Sequence, residues 1–286
     1  KPDLIVVHGD RVEAMAGAIV GSLNNILVGH VEGGEVSGTI DELIRHSISK
    51  MAHIHFVSNA LAKKRLLQLG ELESSVYEIG SPDLDVMVSN NLPSIEQVCQ
   101  KYEIPFNDYG VLMFHPVTTE LDSLKCEIQS VVNAVIESGK NYVVIYPNND
   151  HGTDIILEEY KRFKSLNRIR IFPSIRFEYF LVLLKNSQFM LGNSSAGVRE
   201  APFYGLPSIN IGSRQNNRSV SRSVINVKSD YSEIISAING LTDFTCQRYR
   251  EFGEGNSDSL FMNALNNVEV WETSQQKLFN DFEVRE

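Results

Sequence analysis

The sequence predicts an α/β protein of two domains, each a parallel sheet covered by helices on both faces. Its 286 residues exceed one ordinary domain, and a 42% hydrophobic share is enough to build two cores. Short apolar runs alternate with stretches of helical spacing along nearly the whole chain, as in parallel sheets with helical crossovers. Polar clusters rich in glycine directly follow several of those runs, where open α/β sheets bind ligands.

Leu4 to Val7 is the first strand, an apolar run of the buried parallel kind. Arg11 to Leu23 follows as an Ala-rich helix and Ile26 to Val31 as the next strand, completing a β-α-β unit. From Asp41, residues Leu43, Ile44, Ile48 and Met51 keep helical spacing, and His53 to Val57 is another short strand. Ala60 to Leu69 reads as a helix closed by Gly70, and Tyr77 to Ile79 as a strand. Gly80-Ser81-Pro82-Asp83 breaks the pattern, and Ser94-Ile95-Glu96-Gln97 has the form of a capping box that starts a new series. The domains are therefore expected at 1–81 and 82–256. Strands of the second are expected at Val111 to Phe114, Tyr142 to Tyr146, Arg168 to Phe172, Phe189 to Leu191, Ser208 to Ile211 and Val224 to Val227. Helices fill most gaps, among them Glu120 to Ser138, Asp154 to Lys164, Arg176 to Lys185 and Gly197 to Tyr204. The tail 257–286 holds Leu260, Phe261, Leu265, Trp271 and Phe279, so it is expected to be helical and to pack back on the N-terminal domain. Two such domains facing each other would bring strand C-termini around a shared cleft.

A formal net charge of -10 argues against a nucleic-acid groove, and any bound phosphate should sit in a local pocket. Cys99, Cys126 and Cys246 are scattered and form no C-x-x-C pair, which fits a reducing, cytoplasmic setting. No apolar run nears the roughly 18 residues of a membrane helix. The absence of H-E-x-x-H, of a calcium-loop rhythm and of G-x-G-x-x-G leaves no expected metal and no dinucleotide cofactor. Lys1-Pro2-Asp3 leads straight into a buried strand, and a domain seldom opens with its central strand, so further residues are expected ahead of Lys1.

Four clusters carry possible chemistry. His8-Gly9-Asp10-Arg11 follows the first strand, and Asp10 is either a rim carboxylate or the cap of the next helix. His30 to Asp41 holds His30, Glu32, Glu35 and Asp41 among Gly33, Gly34 and Gly38. Carboxylates so close push one pKa upward, the basis of acid/base pairs. The alternative is a solvated glycine loop with Thr39 or Asp41 as a cap. Gly192-Asn193-Ser194-Ser195-Ala196-Gly197-Val198-Arg199-Glu200 would offer hydroxyls and N–H groups to a phosphate at a helix N-terminus, or simply a serine cap. His115-Pro116-Val117-Thr118-Thr119, Pro147-Asn148-Asn149-Asp150 and Gly212-Ser213-Arg214-Gln215 also follow strands, and a guanidinium in a Gly-Ser loop suits a diphosphate. His55 is taken as structural.

Together these motifs resemble the hydrolysing UDP-N-acetylglucosamine 2-epimerases of bacterial sialic-acid pathways and the epimerase half of the animal bifunctional epimerase/kinase, over about 1–255. The resemblance implies a GT-B architecture of two Rossmann-like domains, with UDP held mainly by the second. Asp10, Glu32 and Asp41 match the family's catalytic carboxylates, and His115 a histidine beside the leaving diphosphate. Arg11, His30, Asn193 and Arg214 join the expected substrate contacts. Ser194 and Ser195 would meet the phosphates, Glu200 the ribose, and the Arg176 to Phe180 region the uracil. About a quarter of a complete enzyme is expected ahead of Lys1. The implied reaction converts UDP-GlcNAc to ManNAc and UDP without a cofactor, in a homodimer or homotetramer. A legionaminic-type substrate (UDP-N,N'-diacetylbacillosamine), a non-hydrolysing epimerase and a GT-B glycosyltransferase are the alternatives.

Overall fold

The computed structural model describes residues 1–37, 40–215, 221–244, 246–278 and 280–281. Gly38, Thr39 and Phe279, which figured in the expectations above, lie outside the described residues. The chain divides into two compact units, Lys1–Val88 with Glu251–Glu286, and Ser89–Arg250.

In unit 1, β1 (Leu4–His8), α1 (Val12–Leu23), β2 (Leu27–Val31), α2 (Ile40–Met51), β3 (Ile54–Val57), α3 (Ala60–Gln68) and β4 (Val76–Glu78) succeed one another. The sheet runs β1-β2-β3-β4, every neighbouring pair parallel. Helix α4 (Pro82–Val88) follows where the sequence reading saw only a break. Its start is legible afterwards: proline suits the first helical position, which has no intrahelical use for an N–H, and Asp83 sits in the first turn.

In unit 2, α5 (Ile95–Tyr102) opens with the Ser94–Gln97 capping box fully formed. Then come β5 (Gly110–Met113), α6 (Leu121–Glu137), β6 (Tyr142–Ile145), α7 (Thr153–Tyr160), β7 (Ile169–Phe172), α8 (Phe177–Lys185) and β8 (Phe189–Gly192). The unit closes with α9 (Glu200–Tyr204), β9 (Ser208–Ile211), β10 (Val224–Val227) and α10 (Tyr231–Asn239). The order β7-β6-β5-β8-β9-β10 is a parallel, doubly wound Rossmann sheet whose direction of progress reverses between β5 and β8. Leu112, Val144, Leu191 and Ile209 from its middle strands pack with Ile128, Val131, Val132 and Val135 of α6. Each such side chain contributes about 1.5–3 kcal/mol by leaving water.

The tail returns to unit 1. In α11 (Ser257–Asn266), the Ser257 N–H and Oγ both donate to Asp85 of α4, and Phe261 meets Phe56 of β3 with ring centroids 4.6 Å apart. Ala264 and, from α12 (Val268–Trp271), Val270 join the core beneath β2 and β3. Helix ends there: the described residues beyond Trp271 run as irregular chain, in place of the helix expected through the tail. Among the described residues, no helix is long and apolar enough to cross a membrane.

Candidate functional site

Parallel pairing of His8 with Val31 brings the residues after β1 and β2 to one rim of unit 1. Gly9 N–H donates to the Val31 carbonyl at 3.0 Å. Asp10 stands next and accepts an ion-paired hydrogen bond from Arg45 of α2, whose side chain is 6% exposed against 22% for the aspartate. Asp10 therefore does not cap α1; the cap position is Arg11, with no side-chain cap bond, and Arg11 is exposed.

Glu32 holds a left-handed backbone, φ 62°, uncommon for a residue with a side chain. Its N–H donates to Phe56 O at 2.8 Å. One carboxylate oxygen accepts from Ser81 Oγ at 2.5 Å, and the other lies 3.1 Å from His8 Nε2. Next in the turn, Gly34 passes so close to α3 that a Cβ would lie 2.3 Å from the Ala62 carbonyl oxygen, and its φ is +76°. Glu35 turns inward and accepts from Ser58 Oγ. Asp41 sits in the first turn of α2, half-buried.

His30 was expected to contact substrate. It is instead fully buried, with Nε2 on the Gly9 carbonyl at 2.8 Å and Nδ1 on Ser49 Oγ at 3.0 Å. A carbonyl can only accept, so the ring proton is on Nε2 and Ser49 donates to Nδ1. Burial drives its pKa down to about 3 against the opposite pull of the Gly9 carbonyl, and the ring stays neutral. His30 is a tie joining β2, the β1–α1 turn and α2. Its position after an apolar run did not reveal which way the ring points.

The second rim is the switch point of unit 2. Asn193 spans β5 and β8: its Oδ1 accepts from His115 N–H at 2.7 Å and its Nδ2 donates to His115 O at 2.8 Å. Gly192, φ +132°, permits this closeness, since a Cβ there would meet Met113 O at 1.9 Å. Asn193 is thus a clasp rather than the expected substrate contact. His115 is buried, and its Nδ1 accepts from Asn148 N–H at 3.1 Å, which leaves the proton on Nε2. Burial, and then the charge of Arg214, lower its pKa to about 3, so it is a neutral donor. Arg214 Nη1 and Gln215 Nε2 both donate to Asn193 O, at 3.1 and 2.8 Å.

Ser194, buried, begins a single 3-10 turn, Ser195–Gly197, and its hydroxyl accepts from Ala196 N–H. The helix expected from Gly197 starts only at buried Glu200 and spans five residues. Pro202 explains this, because a residue without N–H is tolerated in a first turn and not further along. The loop's capacity for an anion therefore rests on serine hydroxyls and turn N–H groups, not on a long helix dipole. Arg176 pairs with Glu178 at 3.2 Å, and its backbone N–H donates to Tyr102 Oη at 3.2 Å. Phe180 is buried in α8.

Arg45, Ser49, Ser81 and Gln215 support these rims; the sequence reading named Ser81 and Gln215 only inside wider motifs, without a role of their own, and did not name Arg45 or Ser49. Ser81 and Gln215 lie beyond strand C-terminal ends and obey the rule that found the others. Arg45 and Ser49 could only be found by noticing that they share the face of Asp41 at helical spacing.

The fold and its two rims define an α/β protein of two Rossmann-type units. A model of the UDP-N-acetylglucosamine 2-epimerase family matches residues 1–266. The chain belongs to that family. It is 50% identical to the UDP-N-acetylglucosamine 2-epimerase of Neisseria meningitidis serogroup B, covering 98% of this chain and 75% of that protein. It is 38% identical to the UDP-N,N'-diacetylbacillosamine 2-epimerase (hydrolyzing) of Legionella pneumophila, covering 83% of this chain and 63% of that protein. The crystal structure of Methanocaldococcus jannaschii UDP-GlcNAc 2-epimerase in complex with UDP-GlcNAc and UDP shares the fold, with a TM-score of 0.78 at 23% identity over 92% of this chain and 75% of that one.

Proposed function

We propose that this protein is a hydrolysing UDP-N-acetylglucosamine 2-epimerase of sialic-acid-type biosynthesis, releasing UDP and N-acetylmannosamine. The observation that carries the reading is the pair of carboxylates on one rim, Asp10 gripped by Arg45 and Glu32 by Ser81. Both carboxylates are thereby held in a fixed orientation at the rim, as a group that exchanges a proton with a substrate must be.

The C2 proton of the sugar is unactivated, so its removal is coupled to departure of UDP from C1, giving a 2-acetamidoglucal. Water then adds at C1 and a proton returns to C2 on the opposite face, which inverts that centre. Asp10 and Glu32 do the proton work and Asp41 positions the sugar. On unit 2, His115 Nε2–H, Arg214 and the hydroxyls of Ser194 and Ser195 stabilise the departing diphosphate as preorganised donors. Glu200 takes the ribose and the 176–180 segment the uracil. Arg11 contributes a further cation to the sugar diphosphate. The enzyme works in the cytoplasm as a homodimer or homotetramer.

Incubation with UDP-GlcNAc in heavy water should give UDP and ManNAc carrying deuterium at C2. UDP release with no deuterium at C2 would overturn the reading in favour of glycosyl transfer, and UDP-ManNAc as product would mark a non-hydrolysing enzyme. The Legionella relative supports a second reading, the same reaction on UDP-N,N'-diacetylbacillosamine. Parallel assays of both sugars decide between them.

A further inference from the structure

Helix α2 carries three groups that serve the unit 1 rim: Asp41 in its first turn, Arg45 paired with Asp10, and Ser49 holding His30. What fixes α2 itself is a charge cluster around buried Glu71 at its other end. Glu71, 2% exposed, accepts from Lys50 of α2 at 2.8 Å and from Lys277 of the C-terminal segment at 2.5 Å, and lies 2.9 Å from His55 Nε2 of β3. Burial alone would raise its pKa, but these partners hold it down to about 2, so it stays ionised.

The Lys277 ammonium also donates to Ala52 O at 2.6 Å and to Ser49 O at 3.1 Å. Its three protons thus have three acceptors, and two are carbonyls at the C-terminal end of α2, where a cation is favoured. Ser49 is shared by two contacts: its carbonyl accepts from Lys277 and its hydroxyl binds His30, whose other nitrogen holds Gly9 beside Asp10. A continuous path of hydrogen bonds therefore runs from the C-terminal segment to the carboxylate rim.

We propose that Lys277 is a positioning residue for the reaction: by pinning the end of α2 to Glu71 it fixes Ser49, His30 and hence Asp10. This rests on the epimerase reading above.

The experiment compares turnover, KM, UDP affinity and pH profile in the wild-type chain, K277M, K277R, S49A and K277M/S49A. K277M should lower kcat by roughly 10- to 100-fold, the scale of a sub-ångström misplacement, with KM and the UDP dissociation constant moving less than about twofold. K277R should recover most of the loss. S49A should add little in the K277M background, because both act along one path. A role confined to stability would lower the melting temperature while leaving kcat per folded molecule and the pH profile unchanged, with additive effects of S49A, and that result would overturn the proposal. Should K277M fail to fold, K277Q retains an amide donor and takes its place in the same cycle. If the wild-type chain exchanges no C2 hydrogen on either sugar, the epimerase reading fails and this one with it. Exchange in the wild type with additive variants removes this proposal alone.

Discussion

Glu32 and Asp10 are held in different ways, and substitutions should separate the two. Glu32 has a donor on one oxygen and His8 beside the other, so E32Q keeps the shape while removing a carboxylate to which the proposed reaction assigns proton transfer. We expect kcat to fall by about 10²–10⁴-fold, the usual contribution of general acid/base catalysis, with the UDP dissociation constant unchanged by calorimetry. Arg45 is a different case, a buried guanidinium paired with a partly exposed aspartate. R45M should destabilise unit 1 in urea titration and also lower kcat, because Asp10 loses the group that orients it; removing one member of a buried pair costs about 3–5 kcal/mol, and Asp10's partial exposure places this one at the lower end. The rim positions of the carboxylates were legible in the sequence because Glu32 stands one residue and Asp10 three residues beyond an apolar run, where the parallel fold makes a rim. Arg45 was not, because its partner is 35 residues away and only the folded β-α-β-α order makes them neighbours. His30 was misjudged for a related reason, since sequence shows that a polar group ends a strand but not whether backbone carbonyls and hydroxyls will enclose it.

The strands were the most legible elements, since apolar runs bounded by glycine and polar residues have few other solutions in an alternating chain. Two helices were less so, and proline is the cause both times. Pro82 was read as a stop when it occupies a helix start, and Pro202 moves the start of α9 to Glu200. Tight approach between elements was also invisible, though the glycines that allow it were in view. Gly34 against α3 and Gly192 against β5 both combine positive φ with backbone oxygens where a side chain would go. G192A should therefore be the more damaging, its Cβ meeting Met113 O at 1.9 Å against 2.3 Å from Ala62 O for G34A. We expect G192A to destabilise the chain by more than about 3 kcal/mol in urea titration, beyond the ordinary range of point substitutions, because neither backbone segment can move without breaking the sheet. G34A should cost less, since a helix can shift, but it should displace Glu32 and lower kcat as well. Equal midpoints for G192A and the wild type would contradict the close approach.

At the scale of the whole chain, a continuous strand-helix rhythm hides where one sheet ends, and the sequence boundary near Ser81 preceded α4, which stays with unit 1 up to Val88. The return of the tail to unit 1 was legible from its apolar residues, but its start at Glu251 and the Asp85 and Phe56 contacts of α11 that secure it were not. This organisation gives unit 1 a private reporter, the single tryptophan, Trp271. It also gives unit 1 a buried neutral histidine, His30, with a pKa lowered from 6.5 to about 3 by burial. Above pH 6.5 the ring is neutral whether folded or unfolded, and it contributes no pH dependence. As pH falls below that value the unfolded chain gains a proton that the folded ring refuses until about 3, so stability is lost through this window at up to about 1.4 kcal/mol per pH unit. His53 and His55 are shifted downward by burial as well and add to the loss in the same direction. Glu71 acts lower down: with its pKa depressed from 4.5 to about 2, its contribution is complete above 4.5 and disappears as pH falls toward 2. Urea midpoints followed by Trp271 fluorescence should therefore drop steadily from pH 6.5 to pH 4.5 before Glu71 matters. H30Q offers an amide to Gly9 O and an acceptor to Ser49 without a titrating ring, so its midpoints should fall less over that interval. A profile for H30Q as steep as that of the wild type would show that His30 is not held neutral by the fold.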